Sequence, residues 1–174
     1  MSMEKKTEVC HEKISEILAQ RTAHDVVSPL SSLCMIAETL DEMMYAKLLQ
    51  IIKLINFMKI SCQQNVTGEE LRSYYSLFHR IDVIDEVNVD ERAQWLKHLL
   101  LWIYSKQNKQ TEIYINGNSV KVKNLYINEE ETSLLEGSVV EYNYHNIYLV
   151  RFIEKCKDKY KYHVGVDEID IKIM

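Results

Sequence analysis

The sequence predicts an α+β protein, in which an antiparallel helical hairpin is followed by a small α/β sandwich. Between residues 19 and 62, apolar residues recur at alternating intervals of three and four, which is typical of amphipathic helices. Beyond residue 80, short alternating segments typical of strands are interspersed with helical segments. Residues 65–68, Asn-Val-Thr-Gly, are the most linker-like point of the chain. We therefore expect two domains, residues 1–65 and residues 66–174.

The first domain is expected to contain two helices. The first runs from about Thr7 to Leu40 and is kinked at Pro29, because the apolar pattern continues in phase on both sides of this proline. The second begins after Asp41, a typical N-cap residue. The apolar stripe of the first helix comprises Ala19, Ala23, Val26, Leu30, Leu33, Ala37 and Leu40, and that of the second comprises Met44, Leu48, Ile51, Ile55, Met58 and Cys62.

The second helix is apolar over a wider surface than one partner helix can cover, because Ile52 and Leu54 lie outside its stripe. Two such helices cannot bury both of their apolar faces in one hairpin. We therefore expect a homodimer, in which a second copy of the hairpin completes a four-helix bundle. The alternative is that the C-terminal part of the chain covers this surface.

The second domain is expected to carry its helices on one face of a sheet. The Asn116-Gly117 pair predicts a hairpin turn. The acidic run Glu129–Glu131 reads as a solvated loop, and the alternating lysines of residues 155–161 as an exposed face, with an acidic partner as the less favoured alternative. The predicted helices are Thr67 or Gly68 to about Arg80, Glu91–Lys106 and Asn143–Lys157; the predicted strands are Val83–Val89, Thr111–Ile115, Ser119–Ile127, Tyr160–Val164 and Ile169–Ile173.

Composition restricts the class of protein. The formal net charge of -5 does not favour nucleic-acid binding, which usually requires a basic surface. The four cysteines are widely separated and lack the spacing of metal ligands. The polar N-terminus does not resemble a signal peptide, and no segment is apolar enough to span a bilayer. We expect a cytoplasmic protein that binds neither membranes nor nucleic acid and holds no cofactor or metal ion.

The segment Ala23-His24-Asp25-Val26-Val27-Ser28-Pro29-Leu30 is the best candidate for a functional site. Although an isolated histidine on a helix is usually only a surface residue, the helical projection places His24 on a polar, exposed face. A neutral imidazole there can accept a phosphoryl group, Asp25 can orient the ring, and Arg21 can contact phosphoryl oxygens. The residues expected to bind a partner protein on this face are Ile17, Gln20, Ser28, Ser31 and Met35.

The His-Asp pair followed by Ser-Pro-Leu resembles the phosphoacceptor box of histidine kinases and histidine phosphotransferases. In those kinases, an Asn-Leu-Leu-x-Asn motif serves Mg²⁺ and nucleotide, whereas this chain has His98-Leu99-Leu100-Leu101-Trp102. An indole cannot bind a hard cation through oxygen. The glycine-rich motifs of the kinase domain are also missing, and the chain has only four glycines. The whole pattern resembles the dimeric histidine phosphotransferases of the ChpT type, with a degenerate domain similar to that of kinase ATPases.

This resemblance implies a phosphorelay. His24 would take a phosphoryl group from the receiver domain of a hybrid histidine kinase and pass it to response regulators without binding ATP. It also implies a homodimer, with Mg²⁺ supplied by the receiver domain. Two alternatives are a divergent sensor histidine kinase fragment that still uses ATP, and a dimeric regulatory module that binds receivers without being phosphorylated.

Overall fold

The computed structural model describes the backbone of residues 3–85, 89–137, 146–156 and 159–174. Side chains are described over the same ranges, apart from those of residues 3–14, 17, 18, 40, 85 and 89. The chain divides into two compact units, residues 1–65 and residues 66–174. Helices and a sheet are both present, so the structure confirms the α+β class.

The first unit consists of helices α1 (Met3–Leu40) and α2 (Glu42–Ser61). Only Asp41 connects them, so the helices form an antiparallel hairpin. The Asp41 carboxylate accepts hydrogen bonds from the backbone N–H groups of Met43 and Met44, at 2.8 and 3.1 Å. These are donors that the start of a helix would otherwise leave unpaired, and they confirm the predicted N-cap.

The buried face of α1 differs from the predicted stripe. Ala23, Cys34 and Ala37 are buried, whereas Val26 and Leu33 are 41% and 51% exposed. Within the single chain, Val26 and Leu33 of the predicted stripe are therefore left exposed. The buried residues of α1 are small, which allows close approach of α2. The larger side chains of Val26 and Leu33 lie in an adjacent row. Periodicity could not separate these adjacent rows, because both repeat at helical intervals.

The second unit contains four helices and five strands among its described residues. The helices are α3 (Gly68–Arg72), α4 (Val89–Lys106), α5 (Glu129–Leu135) and α6 (Ile147–Cys156). The strands are β1 (Ile81–Asp85), β2 (Glu112–Asn116), β3 (Ser119–Lys123), β4 (Tyr160–Val164) and β5 (Glu168–Ile173). A short 3₁₀ helix spans Tyr75–Leu77.

The strands form one sheet in the order β1-β2-β3-β5-β4. Only the β1–β2 pair is parallel, with Ile81 opposite Ile113; the other pairs are antiparallel. The two-residue turn between β2 and β3 is centred on Gly117 and Asn118, one residue later than predicted. Gly117 has a φ of 54°, which glycine adopts without steric cost.

One face of the sheet is buried and the other is polar. The buried face consists of Ile113, Ile115, Val120, Val122, Ile169 and Ile171, each at most 1% exposed. Aromatic contacts join this side to the helices: Phe152 of α6 lies 6.1 Å from Trp95 of α4 and 5.6 Å from Tyr160 of β4, between ring centroids. Helices therefore cover one face of the sheet, as the sequence predicted.

Several predicted boundaries need correction. The helix predicted to reach Arg80 ends at Arg72, because Phe78 is extended and buried, with its ring edge-on to that of Tyr104. The strand predicted for Val83–Val89 ends at Asp85 instead, and Val89 already belongs to α4. Residues 86–88, the predicted helical residues 143–145 and Lys157 lie outside the described part of the chain.

The acidic run Glu129–Glu131 is not a solvated loop but the first turn of α5. The Asn128 side chain accepts a hydrogen bond from the Glu131 backbone, while the Glu131 carboxylate accepts one from the Asn128 N–H at 3.0 Å. This reciprocal pair is a capping box. The Asn-x-x-Glu spacing was visible in the sequence, so this helix start could have been predicted.

Candidate functional site

His24 lies on the exposed side of α1, with 81% of its side chain accessible to solvent. Its Nδ1 atom is 3.3 Å from Oδ1 of Asp25. An ionised carboxylate can only accept a hydrogen bond, so a hydrogen bond across this contact is one that Nδ1 donates. In the neutral ring, the lone pair then lies on Nε2, which does not take part in this contact.

Asp25 also lies near Arg21, one turn earlier on α1. The Arg21 Nε atom is 3.8 Å from Oδ2 of Asp25, and both side chains are well exposed. Arg21, His24 and Asp25 therefore meet within about one turn of a single helix. The chain thus brings together an imidazole, the carboxylate that orients it and a guanidinium able to bind phosphoryl oxygens.

The other predicted partner-binding residues lie on the same helix, and most are exposed. Gln20 and Ser28 are exposed, and Gln20 donates a hydrogen bond to Oε1 of Glu16 at 3.2 Å. Ser31 is exposed too, although its hydroxyl donates to the Val27 carbonyl at 2.9 Å. Met35 is 73% exposed. The side chain of Ile17 lies outside the described residues.

Pro29 alters the backbone next to this site. It lies inside α1, which continues through it. Since proline has no N–H group, the carbonyl of Asp25 cannot receive the i→i−4 hydrogen bond that an ordinary helix would supply. One backbone hydrogen bond is thus missing from the turn that follows His24.

The position of Trp102, which the sequence resemblance compares with the Mg²⁺-binding asparagine of histidine kinases, lies in a buried group of polar side chains. Trp102 is fully buried, and its indole N–H donates to Oε1 of Glu131 at 2.9 Å. Oε2 of Glu131 pairs with the ammonium of Lys106, which also lies over the Trp102 ring, 5.4 Å from its centroid. The side chains at this position are therefore engaged with each other, and their donor set does not suit a divalent cation.

His98 of α4 is a second unusual histidine, for which no role was predicted from the sequence. It is 1% exposed, and neither ring nitrogen has a hydrogen-bond partner among the described residues. Burial lowers its pKa to about 3, and the positive charges of Lys97, Arg151 and Lys155 act in the same direction. The ring is therefore neutral at physiological pH. Its burial could not be read from the sequence, because it depends on α6 packing against α4.

Neither a metal centre nor a membrane-spanning helix is found among the described residues. They contain no group of three or more histidine, cysteine, aspartate or glutamate side chains placed to hold a metal ion. None of their helices combines the length and apolar character that crossing a bilayer requires.

The fold is similar to that of a solved structure. A crystal structure described as a bacterial phosphotransferase at 1.7 Å matches this chain with a TM-score of 0.54 and 12% sequence identity. The match covers 97% of this chain and 92% of that one. At this identity the likeness concerns the fold alone. No family model matches the chain, and no curated protein does.

Proposed function

We propose that this protein is a histidine phosphotransferase that carries a phosphoryl group between aspartates of receiver domains through His24. The observation that carries this proposal is the exposed imidazole whose Nδ1 faces Asp25, so that Nε2 is free to act as a nucleophile. The phosphotransferase-like fold supports the same class of chemistry. The resemblance to the ChpT type gives the proposal its phosphorelay context.

The transfer needs no nucleotide. The Nε2 lone pair of His24 attacks the phosphorus of an aspartyl phosphate on the receiver domain of a hybrid histidine kinase, and an N–P bond forms. The P–O bond to the receiver's aspartate breaks, and the aspartate leaves as a carboxylate. The reverse sequence delivers the group to a response regulator.

Two charged side chains assist this exchange. Asp25 stabilises the Nδ1 proton as positive charge develops on the ring during attack. Arg21 lies one turn away and can offer its guanidinium to the phosphoryl oxygens, whose charge spreads in a loose transition state. A Mg²⁺ ion held by the receiver domain would neutralise further charge on the same oxygens.

The proposal includes a homodimer built on the hairpin. Exposed apolar residues recur every seven positions on both helices: Val26 and Leu33 on α1, and Met44, Ile51 and Met58 on α2. These residues are 41–51% exposed in the single chain. Such heptad spacing is typical of a seam between helices. A second hairpin would bury these rows and complete a four-helix bundle.

The decisive experiment is phosphotransfer from labelled receivers. Receiver domains from hybrid kinases are charged with ³²P-labelled acetyl phosphate and mixed with the full chain. We expect label to move to the chain in an acid-labile, alkali-stable form, as an N–P bond predicts. His24→Ala should abolish labelling without affecting the circular dichroism spectrum, because the ring lies in solvent. His79→Ala, at another exposed histidine, is the matched control.

Each alternative has its own outcome in this assay. Labelling of the chain by γ-³²P-ATP alone would favour the kinase fragment. Binding of a charged receiver without any label on the chain would favour the regulatory module. Persistence of the label in His24→Ala would contradict the assignment of the phosphoacceptor.

A further inference from the structure

Strand β4 forms one edge of the sheet, and part of its backbone has no strand partner among the described residues. Gly165 donates its N–H to the Glu168 carbonyl at 2.8 Å, and the Lys159 carbonyl accepts from Met174 at 2.7 Å. In an antiparallel pair the direction of these groups alternates along the strand. The N–H and C=O groups of Tyr162 and Val164 therefore point away from β5, where no other described strand lies.

Lysines lie on the polar face of the sheet at and next to this edge. Lys161 lies on β4 and Lys159 directly precedes this strand; both are exposed. Lys172 of β5 lies directly opposite Lys161. None of the three forms an ion pair with another residue in the described ranges. By contrast, Lys121 on the same face is paired with Glu168 at 3.0 Å. Like charges directly opposite each other are unfavourable, so an anionic neighbour would relieve this repulsion.

We propose that the β4 edge binds an acidic, extended segment of another protein by strand addition. Two independent features meet here: backbone groups of Tyr162 and Val164 that a new strand can pair with, and lysines that select its charge. Side chains of the added strand alternate between faces, so acidic residues at every second position would lie beside Lys161, with the ammonium of Lys172 one strand further into the sheet. A second copy of this chain would be repelled, because it would bring its own lysines to the same edge.

The observations favour a polypeptide over other anionic partners. The outward N–H and C=O groups match a peptide backbone, whereas a nucleic acid or a lipid headgroup has no complementary ladder. Three lysines are few for either of those partners, and the chain carries a formal net charge of -5. This inference concerns the second unit and does not depend on His24.

The test uses a fluorescein-labelled peptide of alternating glutamate and valine, (Glu-Val)₄, with the intact protein. Amide hydrogen exchange followed by NMR is the primary readout. Saturating peptide should slow exchange at Tyr162 and Val164 at least about tenfold, but should change little at Lys161 and His163, whose N–H groups already face β5. Absence of protection at Tyr162 and Val164 would overturn the proposal.

Variants separate the contributions of charge and backbone. In fluorescence anisotropy, Lys161→Glu and Lys172→Glu should each weaken binding about fivefold or more, while Lys109→Glu, an equal change of charge in the turn before β2, should not. Val164→Pro removes one outward N–H and should also weaken binding.

Matched ligands complete the design. The (Lys-Val)₄ peptide should not bind, and neither should oligouridylate or vesicles containing phosphatidylserine at the same ionic strength. Equal binding of any of these three ligands would contradict strand addition by an acidic segment.

Discussion

Asp25 has a double contact on α1, with Nδ1 of His24 and with Nε of Arg21. A contact with an exposed carboxylate is weak in water, because solvent and salt screen it. In the proposed transfer, its value would be directional, because an ionised Asp25 favours a proton on Nδ1 of His24. Asp25 would thus act as a positioning residue, whose effect is transmitted through His24.

Asp25→Asn should therefore change the tautomer of His24 as well as the rate of transfer. An amide lacks the charge that favours a proton on Nδ1, so we expect ¹⁵N NMR to show less of the Nδ1–H tautomer. Single-turnover transfer should slow about three- to tenfold, as expected for a charge-assisted contact exposed to solvent. Glu38→Gln, at an exposed carboxylate elsewhere on α1, is the control. Unaltered tautomer populations would rule out this role.

His98 should make the second unit sensitive to acid. In the unfolded chain it titrates near pH 6.5, whereas in the folded unit burial lowers its pKa to about 3. Below pH 6.5 the unfolded state binds more protons, so the free energy of unfolding decreases as the pH falls, until about pH 3. We expect a loss of about 2 kcal/mol between pH 6.5 and pH 5.

Urea denaturation at several pH values measures this effect. Both tryptophans of the chain, Trp95 and Trp102, lie in α4, so their fluorescence reports the second unit. His98→Leu should flatten the pH dependence, while His79→Gln, at an exposed histidine, should leave it unchanged. An equally steep dependence in His98→Leu would show that other groups cause it.

For individual residues, the sequence predicted exposure to solvent better than burial. His24 could be placed in solvent because its neighbours at helical intervals are polar. His98 could not be placed, because its environment is made by Arg151 and Lys155, some fifty residues further along the chain. The sequence also could not show which of two adjacent apolar rows on α1 faces α2 and which one, with Val26 and Leu33, stays exposed in the single chain, because only the packing of α2 decides this.

Among the secondary structure elements, α5 depends most on a single side chain. The Glu131 carboxylate caps its own helix, accepts from the Trp102 indole and pairs with Lys106. It is nearly buried, so all three groups would lose a partner together if it were removed. An element of seven residues is too short to be stable through its own helical hydrogen bonds.

Glu131→Ala should lower the free energy of unfolding of the second unit by about 3 kcal/mol, because it leaves a partly buried ammonium and a buried indole without their acceptor. Glu129→Ala, at an exposed position in the same first turn, should change it by no more than about 0.5 kcal/mol. Both values come from urea denaturation followed by tryptophan fluorescence. Equal values for the two variants would contradict the role given to Glu131.

Some helix boundaries can be predicted from neighbouring residues alone, whereas others cannot. The Asp41 cap and the two helices around it followed from adjacent residues, and the structure confirmed them. α5 had an equally local signal in its Asn-x-x-Glu capping box, but the acidic run obscured it. The end of α3 had no such signal, because the burial of Phe78 against Tyr104 determines it.

At the scale of the whole molecule, the heptad rows on the hairpin predict a homodimer. We expect Leu33→Glu and Ile51→Glu each to convert it to a monomer, because each would bury a charge in a helical seam. Light scattering after size-exclusion chromatography should report the mass of two chains for the wild type and of one for these variants. Met35→Glu, on the side of α1 that carries His24, should remain dimeric. A monomeric wild type would contradict the bundle.

The sequence indicated the two-part organisation of the molecule through one linker-like segment and a change of periodicity. The strand order and the parallel β1–β2 pair were not predictable in the same way. They depend on pairing between segments about thirty residues apart for β1 and β2, and about fifty residues apart for β3 and β5. Alternation within a strand does not indicate which neighbour it will have.

Pro29 has a consequence for the proposed relay. A carrier must fit two proteins in succession, a donor and an acceptor, whose surfaces differ. The absent hydrogen bond at the Asp25 carbonyl makes α1 easier to bend one turn beyond His24. The His24 imidazole therefore lies next to a flexible turn of α1. A small bend there would allow Nε2 to align with the aspartyl groups of two proteins that approach from different directions.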